Sequence, residues 1–142
     1  MHIRRSILEA LRDQLNSLPG IGGAWIQRIP PSRVAYPSIT LFASSENIIT
    51  EGFGVVAREQ ERELIVSISA WIRGTSDDEK AEYDMDEAAE IIENTILMPS
   101  HATDMLLVST DWQVTEDEPE IHVLTMNYQI NYCSLENQSS ID

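Results

Sequence analysis

Apolar side chains recur at intervals of three and four between Ile3 and Leu18, where Ile3, Ile7, Leu8, Leu11, Leu15 and Leu18 share one side of a helical wheel. Arg4, Arg5, Arg12 and Asp13 fall elsewhere on it, so the segment predicts an amphipathic helix with one face to bury. Pro19-Gly20 ends this helix, and Gly22-Gly23 loosens the link to a short strand over 24–29. After Pro30-Pro31, the run YPSITLFA at 36–43 predicts a strand with Ile39, Leu41 and Ala43 on one face. Pro37 suits the start of that strand, because in its middle it would remove a ladder hydrogen bond. Residues 44–61 hold Gly52, Gly54 and several acids and amides among few patterned apolar positions, and read as a long exposed loop or protruding hairpin.

From Glu63 to Arg73 the period changes to two. Leu64, Val66, Ile68, Ala70 and Ile72 face one way, and Ser67, Ser69 and Trp71 the other, which is the clearest strand of the chain. A second helix follows Gly74: Ser76 and Glu79 have capping-box spacing, and acids in the first turn suit the positive end of the helix dipole. Its buried stripe is Met85, Ala88, Ala89, Ile92 and Ile96, ending before Pro99. Two strands close the chain, one through Leu106, Val108, Thr110, Trp112 and Val114, the other through Leu124, Met126, Tyr128, Ile130 and Tyr132. Glu116-Asp117-Glu118-Pro119 between them predicts the solvated turn of an antiparallel hairpin.

The order helix, three strands, helix, two strands predicts an α+β fold: a mainly antiparallel or mixed β-sheet with two α-helices packed on one face. A chain of 142 residues fits a single domain, taken as residues 1–134, with a polar tail at 135–142. The second sheet face carries Ser67, Ser69, Thr125, Asn127, Gln129 and Asn131, and is expected to be wet in a monomer or to line a passage or polar interface in an oligomer.

Charge adds a second pattern. All nine Lys and Arg residues lie at or before Lys80, whereas residues 81–142 hold fourteen acids and no base. The first eighty residues set nine bases against ten acids, so nearly all of the net charge of −15 lies in the remainder. Tight nucleic-acid binding draws on clustered Lys and Arg that release counterions, so this one-signed half argues against it. A surface that DNA slides past gains from the same repulsion, while the plainer alternative is that the acids only keep the protein soluble. On the second helix Glu79, Glu82, Asp86, Glu90 and Glu93 form an outward stripe. Like charges at those spacings destabilise an isolated helix by ~0.2–0.5 kcal/mol per pair. The stripe is thus a solvated face tolerated by packing elsewhere, or it answers an Arg-bearing neighbour or a channel carrying a polyanion.

Signs of enzyme chemistry are sparse. His2, His101 and His122 are far apart, and Cys133 is the single cysteine, in an alternating run that suits a small buried or half-buried hydrophobe. Gly20, Gly22 and Gly23 follow a helix rather than a strand and precede no Lys-Ser or Lys-Thr, so they make no phosphate cradle. Asp77, Asp78 and Glu79 are accounted for by helix capping. The sequon at Asn137 matters only in a secreted protein, and the first residues lack a signal-peptide core, so a soluble intracellular product is expected. No catalytic residue, cofactor or metal is assigned.

The ordered blocks carry a resemblance. The amino-terminal helix, YPSITLFA at 36–43, RELIVSISAWIRG at 62–74 running into an acid-rich helix, and HVLTMNYQINY at 122–132 together resemble the tail terminator family of long-tailed phages, of the lambda minor tail protein U type. It spans most of the chain and rests on pattern and order; the segment 44–61, the double proline and the tail do not align. The resemblance implies a structural virion protein without enzymatic activity, at the head-proximal end of the tail, assembled in the host cytoplasm. It implies a ring of six copies that caps the tail tube, stops its polymerisation and meets head-completion proteins, with DNA passing through unbound and no membrane involved. A neck or head-completion protein is the alternative, and a carboxylate-rich metal-dependent hydrolase a more distant one. For a ring, Arg58 and Arg62 are the expected partners of Glu82, Asp86 and Glu90 on the next copy, and Ser67, Ser69, Asn127 and Gln129 are the expected channel lining.

Overall fold

One strand, Glu59–Arg73, is paired along its whole length on one side and from Gln60 to Trp71 on the other, and the rest of the molecule is arranged around it. The computed structural model describes residues 3–31, 37–50, 59–73, 78–114 and 121–135. In chain order the elements are α1 (Ile3–Asn16), β1 (Ala24–Ile26), β2 (Ser38–Thr50), β3 (Glu59–Arg73), α2 (Asp78–Thr95), β4 (Asp104–Val114) and β5 (Ile121–Leu135). The sheet order is β1-β2-β3-β5-β4, with β1 parallel to β2 and the other pairs antiparallel. This is the expected α+β arrangement, a mixed sheet with both helices on one face.

Register explains the core. Ile39, Ala70 and Leu124 stand in one row across the sheet, Leu41, Ile68 and Met126 in the next, then Ala43, Val66 and Tyr128. Against these rows α1 sets Ile7, Leu8, Leu11 and Leu15, and α2 sets Met85 and Ile92, so the period-two and helical stripes meet in a single core. Ile96, expected as the end of the second stripe, is buried just past the helix, where its N–H still donates to the Ile92 carbonyl at 3.0 Å. Gly23 is needed where the chain enters β1. Its φ is 145°, and a Cβ there would lie 2.6 Å from the Trp25 ring.

Four expectations change. The segment 44–61 is not a loop at its ends, because β2 runs to Thr50 and β3 begins at Glu59, with Thr50 opposite Gln60. A bulge between Ala43 and Ser45 shifts the frame by one residue, which puts Glu46 on the core face opposite Leu64 and hides the strand from an alternation count. The first short strand covers only Ala24–Ile26, and β5 continues one residue past the expected boundary at 134. In β4 a second bulge, between Leu107 and Ser109, splits the apolar series: Met105 and Leu107 pack against the core, whereas Leu106, Val108, Trp112 and Val114 are exposed. Ser76, Asp77, residues 51–58, the turn at 116–119 and residues 136–142 of the polar tail lie outside the described residues.

Candidate functional site

No cleft with convergent catalytic groups stands out among the described residues; the distinctive features are surfaces and one charged cluster. On the face away from the helices, side chains bond across four strands. Ser67 donates to Asn127 Oδ1 at 2.6 Å, and the Asn127 amide donates to Ser109 at 2.9 Å and to Asp111 at 3.2 Å. Ser69 and Thr125 share a bond of 2.9 Å, and the Trp71 indole N–H donates to Thr40 Oγ1 at 2.8 Å. Each cross-strand pair of this kind contributes ~0.2–1 kcal/mol.

The ladder corrects the expectation of a wet face at its two serines, while Thr125, Asn127, Gln129 and Asn131 stay half-buried. Ser67 and Ser69 are each only 4% exposed and Thr40 is fully buried, with Phe42 and Trp71 beside them on the same face. Small hydroxyls on a central strand, flanked by large rings, lose their water and bond to one another instead. Asn127 and Gln129 are half-buried. Of the four expected channel residues, then, two have almost no surface in the isolated subunit.

Near the other end of the sheet, Glu46 gathers partners on the helix side. Arg4 of α1 reaches its carboxylate at 2.7 Å, Arg62 lies 3.7 Å away, and the Tyr132 hydroxyl donates to it. The Arg62 guanidinium also sits 6.0 Å from the Tyr132 ring centroid. Burial, with the Glu46 hydrogen bond second, pushes the Tyr132 phenol up to about 12. Tyr128, two rows nearer the centre, is likewise raised to about 12, first by burial and then by the charge of Glu93. Sequence reasoning missed this cluster because the β2 bulge turns Glu46 inward. The available signal was one acid, one tyrosine and two arginines in segments that pair.

Among the described interface candidates, Arg62 is not brought to Glu82, Asp86 or Glu90 within one copy. Arg62 is an inward-facing side chain, 11% exposed and beside Glu46, and Arg58 lies outside the described residues. Glu82, Asp86 and Glu90 are exposed on α2. Between the turn that follows α1, the helix α2 and the sheet, an apolar cleft of about 330 Å³ is lined by Ile21, Ile39, Ile72, Ala88 and Ile91, with Asp84 and Glu87 also lining it. His101 is exposed, His122 is buried on β5 and Cys133 is half-buried. Among the described residues no three His, Cys, Asp or Glu side chains are grouped to hold a metal ion, and no helix is long and apolar enough to cross a membrane.

These elements define a small α+β protein whose notable chemistry is on its faces and edges. No protein-family model matches the chain, and no curated protein matches it. Among solved structures it is similar to a chain of the virion of a native gene transfer agent particle. The TM-score is 0.59 at 10% identity, over 94% of this chain and all of that one. At that identity the likeness is one of fold.

Proposed function

We propose that this protein is a structural component of a phage-like virion that forms a ring on the end of the tail tube, ends tube polymerisation and offers the surface to which the head joins. The observation that carries the reading is the fold likeness to a virion chain over nearly the whole of both molecules. The order of elements shared with the tail terminators supports the narrower role. Charge is consistent with it: six copies would carry six times the −15 of one chain, and acids near a bore repel DNA. Screening at ~8 Å in physiological salt limits that effect to acids close to the passage. A neck or head-completion protein is the second reading, since a virion neighbour supports any ring subunit of the particle.

In this reading Arg58 and Arg62 face Glu82, Asp86 and Glu90 of the next copy. Arg62 already has Glu46 in its own subunit, so Arg58 carries more of the contact. Asn127 and Gln129 are the members of the polar face with surface to offer a channel. The test is tube assembly in vitro: tubes grown with the protein should stop at a set length with density at one end and bind heads there. Tubes that grow unchanged, alongside heads that bind the protein without a tail, would favour the neck reading.

A further inference from the structure

β4 is an edge strand of eleven residues whose bulge lies between Leu107 and Ser109, which leaves the stretch from Ser109 to Val114 as a regular open edge. Edge strands are usually kept short or guarded by lysine, and this one carries no base. Past its bulge, Thr110, Trp112 and Val114 stand opposite Met126, Leu124 and His122, on the side where the helices pack. The second helix, however, lies over β3 and β5, and leaves Trp112 55% and Val114 48% exposed. Through Asp84, Glu87, Ala88 and Ile91, one flank of α2 lines the cleft beside the turn that follows α1. The helical repeat therefore turns Glu82, Asp86 and Glu93 toward β4, with Glu90 at the outer rim, and all four are exposed. The charge of Glu93 acts on the Tyr128 phenol of β5, in keeping with this direction. Exposed Trp112 and Val114 on β4 thus face the side of the sheet on which α2 carries its acidic flank, an apolar strip next to an acidic wall.

We propose that this strip and wall form a groove that seats residues 51–58, EGFGVVAR, of a second copy of the chain. The segment joins β2 to β3 and combines the two chemistries the groove asks for: Phe53, Val55 and Val56 for the strip, and Arg58 for the wall. Its own subunit cannot use it there. The segment leaves the sheet at Thr50 and Gln60, three residues past the start of β4, whereas Trp112 is level with Leu124 and Ala70. Gln60 and Ala70 are ten residues apart on β3, roughly 30 Å at strand rise. The contact therefore joins unlike patches on different copies, the geometry that generates rings or filaments. The proposal rests on the virion reading only in taking a second copy as the partner.

A disulfide trap tests it in the full chain, with Cys133→Ser removing the native thiol. Val56→Cys and Val114→Cys are placed in one chain, oxidised at high protein concentration and resolved on a non-reducing gel. The expected result is a ladder of multimers in about tenfold excess over a Val56→Cys, Tyr83→Cys control, whose second thiol is on the outer side of α2. Trp112→Glu or Arg58→Glu should each remove the ladder, with circular dichroism showing the fold kept; two variants guard against one failing to fold. A ladder no stronger than the control, or one that survives both substitutions, overturns the proposal. Tube capping by a chain that gives no ladder would end this docking alone, and a ladder in a chain that does not cap tubes would end the proposed function alone.

Discussion

Replacing Glu46 by alanine should be among the most costly single changes outside the apolar core. Its carboxylate is 14% exposed and Arg62 11%, so the pair is largely removed from water, although at 3.7 Å it is not ideally close. Removing one partner of a fully buried pair costs about 3–5 kcal/mol, because the other charge loses its compensation. Residual exposure and the separation place Arg62 at about 2 kcal/mol, and Arg4, 39% exposed, adds at most about 1 kcal/mol. The total of about 3 kcal/mol corresponds to a Tm lowered by about 10 °C for a chain of this length. Thermal and urea unfolding followed by circular dichroism measure it, with Arg4→Ala as the small-effect control. The double variant Glu46→Leu, Arg62→Met should recover most of the loss, since apolar pairs of similar volume commonly replace buried ion pairs without penalty. A Glu46→Ala protein within about 0.5 kcal/mol of the parent would show the cluster to behave as an ordinary surface pair.

Two further outcomes follow from the polar face and the tyrosines. Asn127→Asp removes both amide donors and sets a second carboxylate beside Asp111, 3.2 Å from the lost nitrogen, so stability should fall by about 2 kcal/mol and the loss should shrink as pH drops through the carboxylate range. Equal stability of Asn127→Asp and the parent at neutral pH would mean the ladder contributes nothing. Tyr128 and Tyr132 each have phenols raised from 10 to about 12, so their stabilising effect is complete below pH 10 and is lost as pH rises toward 12, where the unfolded chain releases its protons first. Chemical denaturation across that range should show the decline, and Tyr128→Phe with Tyr132→Phe should flatten it.

Much of the fold can be read from period alone. The stripes at Ile7 to Leu15, Leu64 to Ile72 and Leu124 to Tyr132 are strictly helical or strictly alternating, and they are buried as those periods require. Alternation fails where the backbone slips. One extra residue near Ser44 turned Glu46 inward and made the far half of β2 look like loop, and another near Val108 exposed the apolar series of β4. A bulge leaves no mark in a single sequence when neither residue is Gly or Pro. The polar face was legible as a row of hydroxyls and amides, but not the burial of its serines, where Phe42 lies across from Ser67 and Trp71 follows Ser69 on the same face of β3. Of the candidate interface, the acids of α2 were legible from their spacing. The exposure of Trp112 and Val114 was not, because it depends on where α2 settles on the sheet.

Electron microscopy of tail tubes polymerised with and without this protein tests the central claim most directly. A closed ring of its density at one end of each tube, with tube length held to a narrow distribution, is the expected result. Tubes of unchanged length with bare ends, or the protein bound as isolated subunits along their sides, would contradict it.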